Sequence, residues 1–364
     1  MKIKTITCHD VYNFGASLQA YALMTYLINK GHDTEVINYK PDYLRRYYSF
    51  TYVANPKYDK IILRWVYILL KFPSRWKAYK SLKKRRFDEF THSCLKTTKR
   101  FNSYEELLMD PPYADVYFAG SDQIWNPLFP NGKDPAFYLQ FAPKKSIRAS
   151  YAASFATNEI CEPEFSIISE WLDTLDYISA REKSGIAILN KMHKRGVEVC
   201  DPVFLLKRCE WENISRTNIL SNYCLLYDFD NSELSKAIIK SFEKKYRIIS
   251  VFPNDFSDEI LDDIGPREFL GAVLGSDVVI SNSFHATAFS LIFHKDFFVI
   301  RRNENINTRM EDLLESVGLQ DRLINNIDDI SLCQRINWNY VDDCLDNQRI
   351  QSEQYIDQVI RNKN

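Results

Sequence analysis

The stretch 277-DVVISNSFHATAFSLIF-293 changes its period halfway along. DVVI is a short unbroken apolar run of the kind that fills a parallel strand covered on both faces. SNSF is polar and turn-like, and HATAFSLIF resumes with helical spacing. A strand handing over to a helix is the repeating unit of a doubly wound sheet, and ligands of such sheets sit outside the carboxyl ends of the strands. His285 stands at that hand-over, so the same stretch raises the question of chemistry.

Working outward, the alternation repeats. KIKTITC reads as a strand, HDVYNFGA as a turn, and ASLQAYALMTYLINKG as a helix ending at Gly31, with the strand TEVINY after it. DVYFAGSD and IRASYAASFA read as strands leading into loops, and DYISAREKSGIAILNKM as a strand and a helix. A second series begins near residue 206, running through YCLLYDF, NSELSKAIIKSFEKK, YRIISVF, PREFLGAVLGS, the opening stretch, FFVIRR and RMEDLLESVG. The chain has 364 residues, more than one core usually serves, since single cores stop growing near ~250–300 residues. The expected class is α/β, with two Rossmann-like doubly wound domains facing across a cleft. Residues 1–205 form the first and 206–345 the second, and 346–364 are a terminal helix returning to the first.

Hydrophobic residues make up 45% of the chain and aromatics 14%, enough to exclude a mainly disordered protein. Net charge is -1, and no nucleic-acid module is recognisable, so nucleic acid is not expected as a partner. The eight cysteines form no CxxC and no cluster with histidine, so neither a zinc site nor a redox pair is expected. The amino terminus lacks a signal-peptide apolar region, and no run reaches the ~18 apolar residues of a membrane span. A cytoplasmic location follows as the expectation.

The first domain carries a basic insertion at 43–90. Residues 43–86 hold thirteen Lys or Arg against one acid, Asp59, a charge of +12 against -13 for the remainder. Tyr, Trp, Phe, Ile and Leu are interleaved with these charges. The pattern fits a surface lying on anionic lipid at the inner membrane face, or holding a lipid-phosphate acceptor, through Arg75, Lys77, Lys83, Lys84, Arg85 and Arg86. It equally fits a solvated helical flap whose aromatics pack on the body.

Several side chains fall at strand ends. At His285 an imidazole, with an unperturbed pKa near ~6.5, would suit proton transfer near neutrality, and a histidine there is also a common structural residue. Ser281, Asn282, Ser283 and Thr287 surround it, as anion ligands or as caps and turn formers. Asn13 and Gly15 lie at the equivalent edge of the first domain, where Gly15 permits close approach of a ligand or simply makes a turn. In 120-GSDQIWNP-127, Asp122 can take a hydroxyl proton or cap a turn, with Gln123, Trp125 and Asn126 beside it. Arg181 and Arg309 suit a carboxylate or phosphate, or a salt bridge. No G-x-G-x-x-G fingerprint, P-loop or G-x-S-x-G elbow is present.

Taken together, NFGASLQAYAL, GSDQIWNP, YAASF, SAREKSG, DPVFLL, SNSFHATAFSLIF and NTRMEDLLESVGL occur in the order found in the polysaccharide pyruvyl transferase family, which the chain resembles from its start to about residue 323. The resemblance implies a GT-B-like fold and transfer of a pyruvyl group from phosphoenolpyruvate to a sugar hydroxyl pair, forming a ketal and releasing phosphate. It implies His285 as general acid, and beside it Asp122 is read as orienting or deprotonating the acceptor. Asn13, Gly15, Arg181, Ser281, Asn282, Ser283, Thr287 and Arg309 become donor contacts, and Gln123, Trp125 and Asn126 acceptor contacts. Several members carry arginine two residues before the histidine, where this chain has Ser283; Arg181 and Arg309 stand in for it. The implied acceptor is a polysaccharide precursor, lipid-diphosphate-linked at the membrane. No redox cofactor and no clustered metal ligands are called for, with accessory Mg²⁺ on a substrate phosphate left open. The rival readings are a nucleotide-sugar glycosyltransferase, with Glu304 or Glu311 on the ribose, and a non-catalytic carbohydrate- or membrane-binding relative.

Overall fold

Two parallel sheets carry the fold, and both are wound in the same order. The computed structural model describes residues 1–45, 48–53, 56–58, 60–216, 222–302 and 307–361. The first sheet contains β1 (Lys2–Ile6), β2 (Asp33–Tyr39), β3 (Thr97–Phe101), β4 (Val116–Ala119) and β5 (Ile147–Ser150), in the order β3-β2-β1-β4-β5. A parallel pair, β6 (Ile178–Ala180) and β7 (Gly196–Glu198), is joined to its β5 side by single bridges from Ala149 to Tyr177 and from Ala153 to Ala180. The second sheet contains β8 (Tyr223–Tyr227), β9 (Arg247–Ser250), β10 (Glu259–Ile260), β11 (Val278–Ser281), β12 (Asp296–Ile300) and β13 (Leu323–Ile324), in the order β10-β9-β8-β11-β12-β13. Strand order therefore reverses between β1 and β4 in one sheet and between β8 and β11 in the other. Such switch points open a crevice at the carboxyl edge of a doubly wound sheet.

Local sequence explains the elements at these edges. VYFA of β4 and VVIS of β11 are buried along their whole length, as strands covered on both faces must be. Helix α1 (Phe14–Asn29) starts where the Asn13 side chain accepts a hydrogen bond from Ala16 N at 3.1 Å, and it gives way to Gly31 at φ 87°.

The insertion folds as helices α2 (Ile61–Lys80) and α3 (Leu82–Cys94). Helix α3 buries Phe87 and Phe90. Two of the insertion's charged residues, Arg46 and Asp59, lie outside the described residues.

Helices α4 (Lys183–Lys191), α5 (Pro266–Gly275), α6 (Phe284–Ile292) and α7 (Thr308–Ser316) flank the strands. One apolar core runs through both halves, from Ile3 and Leu18 to Leu225 and Phe289. At its centre Phe14 of α1 stacks on Phe269 of α5, with ring centroids 4.8 Å apart. The last helix, α8 (Trp338–Arg361), starts well before residue 346 and lies on the first half. There the Tyr355 hydroxyl donates to Ser150 O at 2.8 Å, and Ser352 Oγ accepts from Cys200 N at 2.8 Å.

Candidate functional site

The start of α6, after β11, meets the start of α1, after β1, with the Asp122 loop after β4 close by. His285 is the second residue of α6, and its imidazole crosses to the first half. It lies against Gly15 of α1, where a Cβ would stand only 1.9 Å from His285 Nδ1. The glycine position read as an approach for ligand is thus the seat of the imidazole. On its other side, His285 Nε2 lies 3.8 Å from Asp201 Oδ2. That nitrogen is buried and without a hydrogen-bond partner among the described residues.

Charges from both halves surround the ring. Arg181, just after β6, donates through Nη1 to Asp201 and through Nη2 to Asp122 Oδ1 at 3.5 Å. Its guanidinium stacks 4.4 Å from the centroid of Phe284. Arg309, the second residue of α7, reaches the same Asp122 oxygen at 3.4 Å. The Gln123 amide lies 2.6 Å from Arg309 Nη2, which places its oxygen toward the guanidinium. Asp122 itself sits at φ 67°, a left-handed backbone that costs most side-chain-bearing residues about 1–2 kcal/mol and that Asp tolerates comparatively well.

The electrostatics follow from crowding. Burial pulls the His285 pKa below its ordinary value; Asp201 and Asp122 oppose this, and Arg181 and Arg309 add to it. Burial works to raise the Asp122 carboxyl, but Arg181, His285 and Arg309 outweigh it and hold the group below the usual carboxylate value. Burial and then neighbouring Arg181 push Arg309 down to about 10, so it is cationic at neutral pH. Burial raises Glu182, whose Oε1 accepts from Ser154 Oγ at 2.8 Å and Phe155 N at 3.2 Å. The result is a neutral imidazole beside two guanidiniums, in a place where an incoming anion would favour its protonated form.

Other residues singled out from sequence are placed elsewhere. Trp125 is fully buried: its indole donates to Phe137 O at 3.0 Å and stacks on Tyr138, so it belongs to the first-half core and offers no surface to an acceptor. Asn126 is buried too, and its Oδ1 accepts from Leu128 N at 3.0 Å to shape the loop. Asn13 is the helix cap. Asn282 spans Asp228 and Phe229 N, Ser281 Oγ accepts from Ser283 N at 2.9 Å, and Thr287 Oγ1 donates to Ser283 O at 3.1 Å. These four residues hold the β11–α6 turn in shape.

In the insertion, Arg75 is buried and donates to Phe50 O and Tyr52 O, so it is an anchor and not a lipid contact. Lys84 pairs with Asp88, and Arg86 with Asp263. Lys83 lies over Phe14 and Phe252, while Lys77 and Arg85 are exposed. Glu311 pairs with Arg301, and Glu304 lies outside the described residues.

Sequence reasoning missed Asp201, Glu182 and Phe284. An aspartate before proline reads as a turn cap, and Asp201 Oδ1 does accept from Val203 N at 3.1 Å. Its other oxygen takes Arg181. The only available signal was its place in DPVFLL, without any assigned role.

A cavity of about 190 Å³ adjoins this cluster. Arg181, Glu182, Asp201, Phe284 and Arg309 line it, together with Gln348 and Gln351 of α8. Among the described residues, no group of three or more His, Cys, Asp or Glu is arranged to hold a metal ion, and no helix is long and apolar enough to cross a membrane.

Comparison with known proteins agrees with this architecture. A family model described as polysaccharide pyruvyl transferase matches residues 13–304. No curated protein matches the chain. Among solved structures, UDP-N-acetylglucosamine 2-epimerase from Rickettsia bellii is similar with a TM-score of 0.53 and 10% identity, covering 100% of this chain and 96% of that one. The Methanocaldococcus jannaschii UDP-GlcNAc 2-epimerase, in complex with UDP-GlcNAc and UDP, gives a TM-score of 0.52 and 14% identity, covering 93% and 94%. At such identities the likeness is one of fold, and that fold is GT-B-like.

Proposed function

Because the chain belongs to the polysaccharide pyruvyl transferase family, we propose that it transfers the pyruvyl group of phosphoenolpyruvate to two hydroxyls of a sugar in a polysaccharide or lipid-diphosphate-linked precursor. The observation that carries this reading is the buried imidazole of His285 facing two guanidiniums from different halves. Phosphoenolpyruvate brings a phosphate and a carboxylate, and Arg181 and Arg309 can take one each. Arg181 is tied to Asp201 and Asp122, whereas Arg309 has a looser 3.4 Å contact to Asp122 besides Gln123 and the Phe284 ring. Arg309 is therefore the cation better able to change partner when the donor arrives.

Donor charge raises the proton affinity of His285, turning a neutral imidazole into an acid. His285 then delivers a proton to the terminal methylene, which becomes the methyl group. The central carbon gains positive character and is attacked by the first sugar hydroxyl. Asp122, held ionised by its arginines, accepts that hydroxyl's hydrogen bond and orients it. The carbon–oxygen bond to phosphate breaks and the second hydroxyl closes the ring. Of the two hydroxyl protons, one replaces the proton spent by His285 and the other leaves on phosphate.

The test is phosphate release from phosphoenolpyruvate by the purified chain, with and without a pool of sugar acceptors, beside the His285→Ala variant. Acceptor-dependent release that the variant lacks is the expected result. Thermal stabilisation by UDP-GlcNAc with no release from phosphoenolpyruvate would instead favour a nucleotide-sugar reaction on this fold.

A further inference from the structure

Helix α2 is mounted with its polarity reversed. A surface helix ordinarily buries its apolar stripe and shows its charges to water. Here the polar side is the anchor. Arg75 donates to Phe50 O and Tyr52 O, and Arg64 Nη2 to Thr51 O at 3.5 Å. The opposite side, at helical spacing, presents Ile62, Trp65, Val66, Leu69, Leu70 and Trp76 outward, with Ile62 79% and Leu70 76% exposed. Phe50 covers only part of the far end, packing near Phe72 and Trp76. A contiguous apolar strip of this kind marks an interaction surface.

Charge decides what it meets. From Lys60 to Phe87 the chain has ten Lys or Arg and no acid. A second copy packed face to face would set these charges against each other, whereas anionic lipid head groups would complement them. Lys60, Lys77 and Lys80 are exposed around the stripe, placed to reach head groups while Trp65 and Trp76 enter the interface. Arg64, Lys71 and Arg75 interrupt the helix, so it suits lying along a bilayer and not crossing it.

We propose that α2 is an interfacial helix that docks the protein on a membrane rich in anionic phospholipid, with Ile62, Trp65, Val66, Leu69 and Leu70 inserted into the head-group boundary. In the basic cluster of α3, Lys84 and Arg86 are already paired with Asp88 and Asp263, while Arg85 is exposed. The proposal is independent of the donor chemistry, because α2 contributes no residue to the His285 site.

The test is flotation of the full chain with vesicles of phosphatidylcholine alone or with phosphatidylglycerol added, beside a Leu69→Glu/Leu70→Glu variant. Both leucines are exposed, so the melting temperature should not move. Binding that requires phosphatidylglycerol, weakens with salt and falls by about tenfold or more in the variant supports the proposal. A blue shift of tryptophan emission on vesicle addition, diminished in Trp65→Phe/Trp76→Phe, places the stripe in the interface. No binding by the wild type, or equal binding by the leucine variant, overturns it. So does a lipid-free dimer that the leucine substitutions convert to monomer, because the stripe would then be covered by a second copy. Failure here with intact phosphate release would leave the reaction standing, and the converse would leave the docking surface standing.

Discussion

The two sheets have the same strand order, yet their switch points carry different chemistry. After β4 the first half offers a carboxylate, Asp122, on a loop at φ 67°; after β11 the second half offers an imidazole on the first turn of a helix. Asp201 and Arg181 also come from the first half, and Arg309 from the second. Neither edge alone holds an imidazole, an ionised carboxylate and two cations. The comparison teaches that the site exists only at the junction, and that the contact between Gly15 and His285 closes it.

The strongest way to break the comparison is to empty the second edge. His285→Ala is expected to lower phosphate release by about 10²–10⁴-fold, the range of a lost general acid, in a steady-state assay with saturating donor. Gly15→Ala attacks the junction from the first half. A methyl 1.9 Å from Nδ1 must displace the ring, and an imidazole misplaced by about 1 Å is expected to cost on the order of 10²-fold in kcat. Wild-type kcat in Gly15→Ala would show that the ring need not sit there.

The two arginines sharpen the asymmetry. Arg309→Lys is expected to raise KM for phosphoenolpyruvate about tenfold, the worth of one charge-assisted hydrogen bond, with little change in melting temperature. Arg181→Met should raise KM as well and, unlike Arg309→Lys, lower stability by about 3 kcal/mol in denaturant unfolding, because it strands Asp201 in the interior. The smallest effects belong to residues that only resemble ligands in the sequence. Trp125→Phe and Thr287→Val are expected to leave KM and kcat within about twofold, since cost at such buried packing sites appears as stability.

Much of the fold was legible because period and composition are local. The β–α alternation and the proline opening α5 can both be read within a few residues, whereas Asn13, read as a ligand contact, turned out to be the cap of α1. Strand order could not be read so directly, because parallel pairing joins segments far apart in sequence. The site was legible in the same uneven way. His285 announced itself at a strand-to-helix turn. Nothing near Gly15 indicated that its missing side chain makes room for a ring from the other half. Trp125 misled because a tryptophan among Asp, Gln and Asn reads as a sugar platform, whereas its indole turns inward to Phe137 O and Tyr138. Asp201 was hidden by its second task as a cap.

The linked pH dependence has a definite sign. Burial lowers the His285 pKa in the folded protein, so the unfolded chain binds that proton more readily. Below the ordinary value near ~6.5 this contribution reduces stability as pH falls. Bound donor should reverse it by favouring the imidazolium.

The most direct single measurement is therefore an NMR pH titration of the His285 imidazole, assigned by its loss in His285→Gln, with and without phosphoenolpyruvate. The expected result is a pKa below 6.5 in the free protein that rises when donor binds. An imidazole that titrates near ~6.5 and ignores the donor would contradict a site assembled from both halves around a buried acid.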